Sequence, residues 1–437
     1  MINKRIIKNF QTFLKYKEKL IFLLIFLIYI FLRTYKLRQW AHFGWDQVDN
    51  AWAAKDIIID HRWKLIGMQA KGQSGFFIGP VYYYFAALFY WIFDLDPIAS
   101  PVIALTTSIF TFLTFYFVIK KIFSEKLALI TLFIYTISNH LINFDRVQWP
   151  VNFIPLASLW IFYFLYNVLI GNIRYLPLLA LALGFSFNIH FTSAFYIVII
   201  FASLPLTFLF LTKEKKKKIL KYILISLPVF LIWFVPNIIS ELSNKGQHSS
   251  NMINYINTFY HGIHLVRILQ LFTDALIEYE PILFFPNLKP IKYLLLPLFL
   301  LIYFFQKPTK KKFVFSYLFS LWFLVPWFVL STYSGQISNY YFSLTIPFVL
   351  LTLSFITLKI YELKFFLVKI FIVGVWGYYS FFNLKTFISG FGVYCRLPCR
   401  EDYTKGQIAK GYIIGFKEGA PDSYLYYLYE MYRKKND

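Results

Sequence analysis

Long apolar runs separated by short lysine-rich connectors constrain this chain more than any other feature of its sequence. The runs lie at residues 20–32, 100–119, 127–143, 153–170, 176–191, 193–212, 218–238, 291–306, 314–331, 341–358 and 365–383. A helix crossing a bilayer needs ~20 apolar residues, fewer or more with tilt. The expected fold is therefore an all-α polytopic membrane protein with about eleven transmembrane helices. Composition agrees: 59% of residues are hydrophobic and 15% charged, against roughly 45–50% and 25% in soluble domains.

The net charge of +23 does not point to nucleic acid, because the basic residues cluster between apolar runs, as cytoplasmic loops do. Residues 1–19 are basic and precede an apolar run with no small-residue cleavage site after it. They read as an uncleaved signal anchor with a cytoplasmic N-terminus, in a multi-pass protein of the plasma (inner) membrane. The first external loop is then 38–98, and residues 144–152, 239–290, 332–340 and the tail 384–437 also lie outside. Residues 76–93 are apolar enough to span, but a crossing there would put the later lysine runs on alternating sides. Residues 78–93 are expected instead as a helix docked at the outer rim or only partly inserted. Residues 1–383 form one transmembrane domain, and the tail is too short to fold alone. Two cysteines, Cys395 and Cys399, are too few for a disulfide framework.

Span interiors are nearly free of charge, and the remaining ionisable groups gather at the outer edge. The first external loop opens with His42-Phe-Gly-Trp-Asp-Gln-Val-Asp49. Residues 47–60 then carry the pattern of an amphipathic helix on the membrane surface. Asp46 can act as its N-cap, or as a partly desolvated base beside Trp45. The stretch Lys71-Gly-Gln-Ser-Gly-Phe-Phe-Ile-Gly-Pro80 is a plain flexible loop or a cradle for an anion, with Lys71 as its cation. Tyr82, Tyr83 and Tyr84 suit an interfacial belt, or stacking and hydrogen bonding to a sugar phosphate. Arg146 either pairs locally with Asp145 or offers a planar fork to phosphate. His190 is either structural or a site residue, and Tyr340-Tyr341, after Gln336 and Asn339, repeats the outer-edge pattern. Loop 239–290 is longer than a simple connector, and its residues 261–270 can form an amphipathic helix bearing Arg267.

The order of these motifs resembles a known family. Trp45-Asp-Gln47, then Gly-Phe-Phe-Ile-Gly-Pro-Val-Tyr-Tyr-Tyr84, Leu95-Asp-Pro97, Lys120-Lys-Ile-Phe123, Phe144-Asp-Arg-Val-Gln-Trp149 and Phe187-Asn-Ile-His190 are similar to the bacterial dolichyl-phosphate-mannose protein mannosyltransferases. The likeness covers residues 20–200. It implies the C-type membrane glycosyltransferase fold and an inverting transfer of sugar from a polyprenyl-phosphate donor, in the lipid bilayer, on the external face. In that family the first-loop aspartate is the base, which places the catalytic role on Asp46. Asp49, Lys71, Tyr83, Arg146, His190 and Tyr341 are the implied substrate-binding residues. The resemblance leaves the acceptor open among glycan, lipid and protein. No cofactor is assigned. A divalent metal stays open, because many relatives carry a second acidic residue after the arginine where this chain has Val151 and Asn152. The competing reading is a transporter or flippase of lipid-linked sugars, which would need a polar path through the midplane.

Overall fold

The computed structural model describes residues 2–390, apart from 39, 44, 71–73, 263, 272–302, 304–308 and 336. Among the described residues the chain is helical, with two isolated bridges, Gln69 to Phe77 and Tyr260 to Tyr333. In chain order the helices are α1 (Ile2–Thr34), α2 (Trp45–Ile58), α3 (Val81–Ile92), α4 (Ala99–Ile122), α5 (Glu125–Ile137), α6 (Asn139–Phe144), α7 (Phe153–Leu169) and α8 (Leu176–Ile189). They continue with α9 (Ala194–Phe210), α10 (Lys213–Leu231), α11 (Val235–Ser243), α12 (Gln247–Phe259), α13 (Lys310–Ser331), α14 (Ile346–Tyr361) and α15 (Phe366–Ile388). This is the expected all-α membrane architecture. Among the described residues, six segments are long and apolar enough to cross a bilayer: Ala99–Ile122, Pro150–Leu169, Lys213–Ser243, Lys310–Ser331, Tyr340–Tyr361 and Phe366–Ile388. The expected runs at 176–191 and 193–212 appear as shorter apolar helices, and the run at 127–143 is divided at Ser138 into α5 and α6. The run at 291–306 falls outside the described residues except Tyr303, and the last helix continues past 383 to Ile388.

Charge sorts the helix ends. The lysine runs at 120–121, 215–218 and 310–312 lie at one end. Lys120 pairs with Glu125 at 2.8 Å across the α4–α5 turn, and Lys310 Nζ donates to the Phe210 carbonyl at the end of α9 at 2.8 Å. The motif residues collect at the opposite end. There α3 settles its own orientation. Its N-terminal Gly79-Pro80 turn packs against Asn188, beside His190, while beyond its C-terminus Asp96 pairs with Arg38, just past α1, at 2.9 Å. Both ends of α3 therefore lie at the motif end.

The first loop folds onto the bundle. Val48, Ala51 and Ala54 of α2 are buried, as are Gln47 and Asn50, and α2 packs along α3. Small residues on α2 let α3 approach closely and cover that face.

Two charged side chains fasten α1. Arg33 is fully buried; its Nε donates to Asp145 Oδ2 at 2.7 Å, and its other nitrogens donate to the carbonyls of Tyr135 and Thr136 at 3.0 and 3.1 Å. The Tyr135 hydroxyl donates to the second Asp145 oxygen at 3.0 Å, and the guanidinium lies 3.7 Å from the Tyr29 ring centre. Next door, Arg146 donates to the carbonyls of Leu32, Tyr35 and Lys36 at 3.2, 2.8 and 3.2 Å. Leu32 lies in the last turn of α1 and Tyr35 and Lys36 follow directly after it, so Arg146 ties down the end of α1. Elsewhere the core is aromatic: Phe162 packs on Phe315, Trp322 and Phe348. Within it the Trp322 indole donates to Ser158 Oγ at 2.7 Å, and that hydroxyl donates on to the Leu344 carbonyl at 2.7 Å.

Two measurements test this arrangement. Single cysteines at Trp63 and Asp94, in a Cys395→Ser/Cys399→Ser background, should label from the same membrane face, and one at Lys217 from the other. Labelling of the first two from opposite faces would make α3 a span. Asp145→Ala leaves the Arg33 charge buried and unmatched, and should cost about 3–5 kcal/mol in detergent unfolding. Arg33→Met/Asp145→Leu should recover most of that loss.

Candidate active site

Asp46 lies in the first turn of α2, one residue inside the helix rather than at its N-cap. Its side chain reaches across to the loop before α7, where the Trp149 indole Nε1–H donates to Oδ2. The adjacent pair repeats the link: Gln47 Nε2 donates to the Gln148 carbonyl. Local sequence fixes the loop side. Trp149 precedes Pro150, which restricts it to extended backbone, and it sits at φ −150°, ψ 141° ahead of a short 3₁₀ turn.

The Trp149 ring carries the cluster onward. It meets Tyr340 at 5.1 Å between ring centres, Tyr340 meets His190 edge-on at 5.6 Å, and His190 lies 6.2 Å from Tyr341. Asp46, Trp149, Tyr340, His190 and Tyr341 thus form one continuous group drawn from four distant parts of the chain. His190 closes α8. Its Nδ1 accepts from the Thr192 amide at 3.3 Å and lies 2.9 Å from the Thr192 hydroxyl. Burial disfavours the imidazolium and lowers the His190 pKa to about 4, so the ring is neutral at pH 7 and serves as a hydrogen-bonding group rather than a cation.

On the other side of α2, Asp49 accepts from the Tyr83 hydroxyl at 2.8 Å. Tyr83 is buried, and burial together with the charges of Asp49 and Asp46 raises its pKa, so it remains a donor. Tyr82, also buried and facing Asp46, is raised for the same reason. The Gly79-Pro80 turn that starts this helix is held tightly. A Cβ at Gly79 would lie 1.6 Å from Asn188 Oδ1, and Asn237 Nδ2 donates to the Ile78 carbonyl at 3.4 Å. Segment 247–262 straps over the same end: Asn251 donates to the Gly75 carbonyl at 2.9 Å, and the Ser334 amide donates to the Phe259 carbonyl at 2.7 Å.

The structure thus joins Asp46, His190 and Tyr341 in one cluster and Asp49 with Tyr83 beside it. Lys71 lies outside the described residues. Arg146 is placed differently from the sequence expectation: 3% exposed, it spends its fork on α1 carbonyls, where a phosphate would have to displace three hydrogen bonds. The sequence reading named Trp149 and Tyr340 only as motif members, yet they are what connects the cluster. The signal for Trp149 was the pre-proline position. Asp145 is committed to Arg33 and Tyr135 and does not suit a metal ligand. Among the described residues no group of three or more His, Cys, Asp or Glu is placed to hold one.

Residues 78–239, from the Gly-Pro turn to α11, match the family described as dolichyl-phosphate-mannose-protein mannosyltransferase. Among solved structures, the chain is similar to ArnT from Cupriavidus metallidurans bound to undecaprenyl phosphate. That match has 10% identity and a TM-score of 0.54, over 94% of this chain and 74% of that one. It is also similar to the oligosaccharyltransferase of Archaeoglobus fulgidus in complex with zinc and sulfate. Here identity is 11% and the TM-score 0.50, over 93% of this chain and 57% of that one, so this chain spans little more than half of that enzyme. No curated protein matches. The fold is that of the polytopic membrane glycosyltransferases, and a mannosyltransferase-like segment holds the α3 turn, Trp149 and His190.

The neutral His190 carries a pH signature. Its folded pKa is lowered to about 4, below the ordinary ~6.5, so the unfolded chain binds the proton more readily. Stability should be full above pH ~6.5 and fall as pH drops from there toward ~4. His190→Gln should flatten that slope in thermal unfolding across pH 4–7; an unchanged slope would place the titration elsewhere.

Proposed function

We propose that this protein is a membrane glycosyltransferase that moves a sugar from a polyprenyl-phosphate-linked donor to an acceptor hydroxyl on the external face, with Asp46 as general base. The observation that carries the proposal is the placement of Asp46. It stands in a polar cluster with Trp149, Tyr340 and His190, at the helix ends opposite the lysine runs. The mannosyltransferase-family match holds Trp149 and His190 of that cluster, and the solved structure holding undecaprenyl phosphate shares the fold. With the lysine runs in the cytoplasm, the N-terminus is inside and the cluster faces outward.

Asp46 takes the proton of the acceptor hydroxyl as its oxygen attacks the anomeric carbon. The new glycosidic bond forms on the face opposite the breaking C–O bond, so the configuration inverts. Polyprenyl phosphate departs with the electron pair. With Arg146 engaged on α1, Lys71 is the candidate cation for that phosphate. Tyr83, held by Asp49, and Tyr341 beside His190 are the candidate donors to sugar and phosphate oxygens. The acceptor is a glycan, a lipid or a protein. A flippase would need polar groups along the midplane, whereas the buried Arg33–Asp145 pair lies at the motif end and serves α1.

The test is Asp46→Asn, assayed with undecaprenyl-phosphate-linked mannose, glucose and arabinose and membrane extract as acceptor source. The variant should keep its detergent unfolding temperature and lose transfer by ~10²–10⁴-fold. Retained transfer would remove Asp46 from the chemistry. Movement of lipid-linked sugar across vesicles with no glycosidic bond formed would replace the enzyme with a transporter.

A further inference from the structure

Trp149 makes a contact that the proposed chemistry does not by itself require. Its indole nitrogen donates to Asp46 Oδ2, while among the described residues no donor reaches Oδ1. Three restraints hold the indole in place. Pro150 fixes the backbone of Trp149 as extended. Gln47 ties α2 to the same loop one residue away. Tyr340 closes over the ring at 5.1 Å and is itself backed by His190. A tryptophan N–H is a donor only and never ionises. It can hold a carboxylate oxygen without competing for the proton that the carboxylate is to receive.

We propose that Trp149 is a positioning residue for Asp46: its indole N–H fixes one carboxylate oxygen and aims the other at the acceptor hydroxyl. This inference rests on the reading of Asp46 as the base. It gives the Tyr340-Tyr341 segment a role at a distance. Tyr340 holds the indole, the indole holds the carboxylate, and a residue from late in the chain thereby acts on one near its start without touching it. The donor also leaves a spectroscopic mark, since the stretching frequency of a carboxylate reports the hydrogen bonds it accepts. Tyr82 and Tyr83 from α3 also face Asp46, and Asp49, which accepts from Tyr83, is the neighbouring carboxylate to control for.

The experiment compares wild type with Trp149→Phe, which keeps a ring against Tyr340 and removes the N–H. Asp46 is followed directly by infrared difference spectroscopy at neutral pH, its carboxylate stretching band assigned by its loss in Asp46→Asn, with Asp49→Asn run alongside as control. The Asp46 band should move in Trp149→Phe, because the stretch reports the hydrogen bond that the variant removes. In the undecaprenyl-phosphate-sugar assay, kcat should fall ~10–100-fold with KM little changed. Adding Trp149→Phe to Asp46→Asn should have no further effect. If Trp149→Phe does not yield folded protein, benzothienylalanine at position 149 carries the same comparison, since it replaces N–H by sulfur in a ring of the same shape. An unmoved Asp46 band overturns the inference whatever the activity. A moved band with Asp46→Asn still active leaves Trp149 as the partner of Asp46 and overturns the catalytic reading instead.

Discussion

The fastening of α1 by two adjacent residues of a distant loop is the constraint on which the rest of this structure depends. Asp145 takes the Arg33 guanidinium inside the bundle, and Arg146 takes the carbonyls at the end of the same helix. A buried ion pair contributes little net stability over an apolar pair of the same shape, but a half-pair is costly. Its value here is geometric. With α1 ending at a fixed place and Asp145-Arg146 locked against it, Trp149 stands three residues further on, where α2 can meet it. The polar cluster inherits its position from that lock.

The cluster is organised by rings rather than by charges. Trp149, Tyr340, His190 and Tyr341 touch in sequence, and the imidazole among them is neutral at pH 7 because burial penalises its charged form. Among the described residues, what holds the Asp46 carboxylate is a ring N–H rather than a cation. The one arginine that had seemed available for a substrate is instead part of the frame.

Much of the fold was legible because bilayer physics is strict about length and polarity. Apolar runs at 100–119, 314–331 and 341–358 became helices nearly as bounded, and the lysine runs gathered at one end. The site was legible only in part. Asp46 and His190 could be picked out because polar groups stand out at the edge of apolar sequence. Their connection could not, since residues 46, 149, 190 and 340 come together only in three dimensions. Arg146 was misjudged because a loop arginine looks the same whether it faces a ligand or ties down a helix end. The missing clue was Arg33, a lone charge at the end of the first apolar run that needed a partner.

The ring chain from Trp149 to Tyr341 also orders events during synthesis. The carboxylate of α2 emerges early, but the Tyr340 ring that backs its partner belongs to a segment close to the end of the chain. The same holds for α15, whose Asn383 accepts from the Asn139 amide at 2.8 Å and whose Phe387 packs on Trp40. Contacts so far apart along the chain close late. A ribosome-bound fragment lacking its last helices would sit in the bilayer with most of its spans in place and its polar centre incomplete. The cluster would close only once the segment bearing Tyr340 has emerged.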